Sequence, residues 1–266
     1  MRFQKYLNLT KTQHIMLKQL HLAAQYLAVA GINFVDKKAD DSHTNLGWDS
    51  ENLRLTSRFL ANTGFQVGLN YTDFSLEWLK VGEVQDSLPL HESSHNAVVD
   101  WVSKKIATAG IEGSYNYSLH YDIPYNSLGN DFRYELVSKS EMHRLAGLLS
   151  VAQNQFQIFL QNEKLDSEIR VWPHHFDLGI YTEADSSKNL FVGAGLAVPD
   201  SLVDDLYYYI SGYKDGESMA VSSFLALSQG KWADNWDGGV MASTGKSGNE
   251  ISTFLIETLQ IFRTNA

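Results

Sequence analysis

The chain has 266 residues, 44% hydrophobic and 20% charged, which is enough apolar surface for a buried core and is not a disordered composition. Asp and Glu number 31 against 21 Lys and Arg, and the resulting charge of -10 repels phosphate backbones and argues against nucleic-acid partners. With no cysteine, disulfides, thiolate-bound zinc, iron–sulfur clusters and a thiol nucleophile are excluded.

The opening residues MRFQKYLNLTKTQ are basic but carry no apolar signal core, and no run reaches the ~18 uninterrupted apolar residues of a spanning helix. The expectation is a soluble cytoplasmic protein without membrane segments. Residues 11–30 predict an amphipathic helix with Ile15, Met16, Leu20, Ala23 and Leu27 on one face and Gly31 as its stop. A polar connection follows to about residue 52. The runs 53–59, 65–72 and 74–80 alternate with period two and predict strands. In the first, Leu53, Leu55, Ser57 and Phe59 would share a buried face while Arg54, Thr56 and Arg58 would share a polar one, which with His175 and Asp177 could line a cavity between sheet and loops.

Residues 93–109 predict a helix, with Ser93 or Ser94 as N-cap and Gly110 as stop. Residues 115–123 alternate like a strand, and 140–162 carry a helical apolar stripe. Strands are expected at 168–183 and 190–197, and a short one at 238–243. DDLYYYISGY reads as strand or helix, and 249–262 as a closing amphipathic helix. Strands followed by a helix thus occur twice. The predicted class is α+β, antiparallel sheet with helices on its apolar face. The expected division is a helical extension over 1–44 and a single α+β domain over 45–266.

Five segments carry residue types suited to chemistry. His91-Glu92-Ser93-Ser94-His95 spells H-E-x-x-H, which on one helix face would bind zinc with Glu92 as general base. Leu88-Pro89-Leu90 before it and the N-cap serines place His91 outside the helix, against that reading. GGVMASTGKSGNE contains Gly-Lys-Ser, but a phosphate-binding loop needs glycine where Val240 stands. In Trp172-Pro173-His174-His175-Phe176-Asp177, an extended chain would turn Trp172, His174 and Phe176 one way and His175 and Asp177 the other. His175 and Asp177 are then the candidate catalytic pair. With His174 they are also candidate ligands for a divalent metal, helped by Asp41 or His43 of the loop Asp40-Asp41-Ser42-His43. A structural histidine and a structural His–Asp bond are the commoner outcome for such residues. Trp232 and Trp236 either stack a ligand or plug the end of a sheet.

The string Ile169-Arg170-Val171-Trp172-Pro173-His174-His175-Phe176-Asp177-Leu178, with Trp236-Asp237-Gly238-Gly239-Val240 and a closing helix downstream, resembles a bacterial family of domains of unknown function marked by a Trp-Pro-x-His-Phe-Asp signature. The resemblance runs over residues ~45–263 and implies one continuous domain. The chain departs from it after Leu196, where the Gly-rich loop is shorter. The family brings no established activity. On the residues, the expectation is a small-molecule or anion-binding protein whose binding side chains are Arg58, Trp172, His174 and Trp236. The alternatives are metal-assisted hydrolysis by His175 and Asp177, or a zinc protease using His91, Glu92 and His95.

Overall fold

The structure, a computed structural model, describes residues 10–125, 128–129 and 131–266, so the basic stretch 1–9 lies outside the described residues. The fold is α+β, with four helices and antiparallel sheets of five and seven strands among the described residues. The chain divides into two compact units. The first holds residues 10–150 and 171–175, the second 151–170 and 176–266.

Helix α1 (Lys11–Phe34) begins at a capping box in which Thr10 and Gln13 satisfy each other's backbone N–H groups. Every residue from Gln19 to Gly31 is buried. The cause is in the sequence: apart from His21 and Gln25, LHLAAQYLAVAGI is apolar, aromatic or small on all sides, and such a helix is stable only when enclosed. It is long and apolar enough to cross a membrane, contrary to expectation, but 78% of that stretch is buried inside the protein. Gly31 does not stop it. A Cβ there would lie 2.6 Å from the His43 carbonyl oxygen, so glycine serves close approach of the 43–44 backbone and the helix runs on to Phe34. Helix α1 is buried within the first unit, so the expected boundary at residue 44 is not the boundary between the two compact units.

Strands β1 (Gly47–Asp49), β2 (Arg54–Thr56), β3 (Phe65–Asn70), β4 (Ser75–Lys80) and β5 (Glu83–Pro89) form an antiparallel meander in sequential order. The expected 53–59 strand shrinks because Leu53 has a left-handed backbone, φ 51°, and its faces are not as expected. Phe59 is 49% exposed, whereas Arg54 is 4% exposed. The Arg54 guanidinium donates to Asp49 at 3.0 Å, to Glu77 at 3.1 Å and to the Gly82 carbonyl at 2.7 Å, so its charge is paired inside rather than turned to water. Helix α2 (His95–Thr108) starts at the Ser94 N-cap, and Gly110 beyond its end takes φ 68°. Residues 115–123 form no strand; their tyrosines pack and bond to α1 instead.

Helix α3 (Lys139–Glu163) belongs to the first unit through Ser150 and to the second from Val151. The expected 168–183 strand is broken into β6 (Arg170–Trp172) and β7 (Asp177–Asp185) by a turn over 173–176. Pro173 and the left-handed Phe176, φ 58°, make the turn. Within the second unit β7 pairs with β8 (Leu190–Ala197), β8 with β9 (Tyr207–Lys214), β9 with β10 (Glu217–Ser218) and β12 (Gly239–Ala242), and β12 with β11 (Lys231–Trp232). Leu178, Ile180, Val192, Ala194, Tyr208 and Ile210 share its buried face. Helix α4 (Gly248–Asn265) lies on β7, β8 and β9, and Phe262 presses onto Gly212 so closely that a Cβ there would meet its ring at 2.4 Å.

Candidate functional site

In the first unit, residues far apart in sequence meet at the turn after β6. Pro173 is buried, and its carbonyl oxygen accepts two hydrogen bonds from α1, from His21 Nε2 at 2.8 Å and Gln25 Nε2 at 2.9 Å. A carbonyl only accepts, so His21 carries its proton on Nε2. Its Nδ1 lies 3.3 Å from the Tyr125 hydroxyl. Tyr121 donates to Gln25 Oε1 at 2.8 Å, which orients the carboxamide toward Pro173. His21 and Gln25 are one helical turn apart, so both reach the same carbonyl from one face of α1.

The next two residues are presented on this fixed backbone. His174 is half-buried and His175 exposed, with ring centres 4.1 Å apart. His174 also meets Trp172 edge-on at 6.4 Å and Tyr121 at 5.6 Å. Tyr121 is in turn edge-on to His120, whose Nε2 lies 3.1 Å from Asp41, and His43 stacks parallel to His120 at 6.4 Å. Five histidines, 21, 43, 120, 174 and 175, thus gather around one turn with Asp41 as the carboxylate among them.

Burial, helped by neighbouring His174 and His175 and opposed by the Pro173 bond, pushes His21 down to about 4. Burial and the neighbouring His175 likewise bring His174 to about 4, against the pull of Asp41. Burial also lowers His43. At neutral pH these three rings are uncharged; both nitrogens of His21 are already engaged, by Pro173 and Tyr125, and His43 Nδ1 accepts from the Lys38 N–H.

Comparison of the chain with protein-family models, with curated proteins and with solved structures gave no match. The site therefore stands on its own geometry.

Several predicted residues stand elsewhere. His175 and Asp177 were expected on one strand face, but the turn intervenes. His175 belongs to the first unit and Asp177 to the second, where its carboxylate accepts the Tyr209 hydroxyl at 2.5 Å. Tyr209 lies over Gly195, where a Cβ would meet its ring at 2.6 Å, and Trp236 is edge-on to it at 5.9 Å. Trp236 is thus a packing residue of the second unit, and Trp232 wedges between Phe224 and Phe262. Arg58 is half-buried in the segment after β2.

His91 precedes the Ser94 N-cap and its Nδ1 accepts from the Leu136 N–H, while Glu92 is left-handed at φ 64°. His95 is the first helical residue and shares a 2.8 Å hydrogen bond with the Tyr26 hydroxyl. The two imidazoles are not on one helix face, which the zinc reading requires. Among the described residues no group of three His, Asp or Glu could hold a metal ion, so the geometry gives His174, His175 and Asp177 no support as a ligand set. Gly-Lys-Ser serves α4: Ser247 is its N-cap, closing a box with Glu250, and Lys246 pairs with Glu250 at 2.8 Å.

Of the residues gathered at this turn, the sequence singled out Trp172, His174, His175, His43 and Asp41, and not His21, Gln25, His120, Tyr121 and Tyr125. One signal was present for two of these: a His and a Gln four apart in an otherwise apolar helix need buried partners.

Proposed function

We propose that the protein binds a small planar anion, of the aromatic carboxylate type, at the Trp172–His175 segment and performs no chemistry on it. The observation that carries this reading is the double hydrogen bond from the buried His21 and Gln25 to the Pro173 carbonyl, which holds His174 and His175 on a fixed backbone. A binding site held rigid in advance loses less conformational entropy when the ligand arrives. Trp172, Tyr121 and His174 offer ring faces and edges to the ligand plane, and the imidazole N–H groups offer donors to its carboxylate.

Calorimetric titration with benzoate, acetate and inorganic phosphate tests this on wild type and His174→Ala. Benzoate is expected to bind wild type better than acetate does, and about tenfold or more weakly to the variant, the equivalent of one lost hydrogen bond to a charged group. Absence of benzoate binding to wild type, or equal binding to both proteins, would remove the reading.

A further inference from the structure

We infer that the second unit carries a separate binding site for a neutral, hydroxyl-rich small molecule of the sugar class, in the cavity where α3 ends. The cavity measures about 550 Å³, within the range of small-molecule sites, and is open to solvent. One wall is a row of carboxamides, Gln153, Gln157 and Gln161, spaced four residues apart on α3 and hence aligned along one face. The opposite wall is the segment after the helix, with Ser167 contributing a hydroxyl group.

That wall is firmly built. Leu165 N–H donates to the Leu160 carbonyl and Lys164 N–H to the Gln161 carbonyl, the paired bonds of a helix end whose left-handed residue is Lys164, φ 54°. Ser167 then bonds to the Tyr181 carbonyl at 3.1 Å, and the Asp166 carbonyl accepts from Thr182 at 2.8 Å, tying the segment to β7.

The lining selects the ligand chemistry. Lys164 and Asp166 are its charged members, one of each sign, so an ion of either sign finds no net attraction. Carboxamides donate and accept together, as sugar hydroxyls do, so paired groups on each side satisfy one another. Leu160, Leu165 and Ile169 give an apolar strip for the C–H face of a ring. Gln153 adds a second observation: its Oε1 is shut off from solvent and has no hydrogen-bond donor among the described residues. A buried acceptor in that state is unfavourable, and a carboxamide turning toward a bound hydroxyl would relieve it.

The test uses the full chain with methyl glucoside, N-acetylglucosamine and maltose as probes. Saturation-transfer NMR and calorimetry measure binding, and the side-chain amide signals of ¹⁵N-labelled protein locate it. At least one probe is expected to bind wild type, to shift glutamine side-chain amides, and to bind Gln157→Leu and Gln161→Leu about tenfold more weakly, one hydrogen bond each. Both residues are exposed on α3, and unchanged heat-unfolding midpoints would confirm intact variants. His174→Ala should bind the sugar as wild type does. No binding of any probe at ~10 mM, shifts confined to signals outside the glutamine amides, equal affinity for wild type and both variants, or displacement of the sugar by acetate or phosphate would each overturn the proposal.

Discussion

His21 is 2% exposed and donates to the Pro173 carbonyl in its neutral form. Its value of about 4 in the folded protein lies below the 6.5 of an unfolded chain. Between those values the unfolded state binds a proton that the folded state does not, so stability is full above about pH 6.5 and falls as pH drops toward 4. The contribution from His21 is about 3 kcal/mol. His43, His95 and His174 are lowered too, chiefly by burial, and act in the same direction. The urea midpoint of wild type should therefore fall between pH 7 and pH 4.5, and fall less in His21→Gln; an equal fall in both would show that other groups carry the acid sensitivity. Arg54 argues from charge in the same way. Its partner Glu77 is 6% exposed and also accepts from Asn70, so Arg54→Met strands a buried carboxylate and should cost about 3–5 kcal/mol. The double variant Arg54→Met with Glu77→Leu should recover most of that loss in denaturant titrations, and failure to recover would show that packing rather than charge holds Arg54 in place.

At the scale of elements, caps and glycines decide where helices begin and end. Ser94, Ser247 and Thr10 are side chains that accept backbone N–H groups, and all three starts follow from local sequence. Helix ends are less local. Gly31 looks like a stop and instead lets the His43 backbone approach, a role set by a segment the helix does not contain. The true left-handed end of α3 falls on Lys164, a residue with no such signature. A side chain in that conformation costs roughly 1 kcal/mol against glycine. Lys164→Gly should thus stabilise the second unit by about that amount, measured as a raised denaturation midpoint; a lowered midpoint would mean that the lysine side chain contributes more than the backbone strain removes.

Across the molecule, the two units each combine an antiparallel sheet with helices. The expected boundary near residue 44 does not separate them, because α1 fills the interior of the first unit. Deleting residues 1–44 should abolish the near-ultraviolet dichroism and dispersed amide signals of the first unit, whereas a free-standing domain over 45–266 would keep them. Sequence alone determined the helices, most strands, the serine cap of α2 and the α+β class, because periodicity and caps are properties of neighbours in the chain. Tertiary structure alone decided that Trp-Pro-His-His-Phe-Asp turns over residues 173–176, that His175 and Asp177 part, and that Arg54 points inward. It also chose the groups that hold Pro173, which lie 152 and 148 residues away in His21 and Gln25. Hydrogen-bonding partners of buried polar groups are assigned by which segments pack together, and no local pattern of residues encodes that choice.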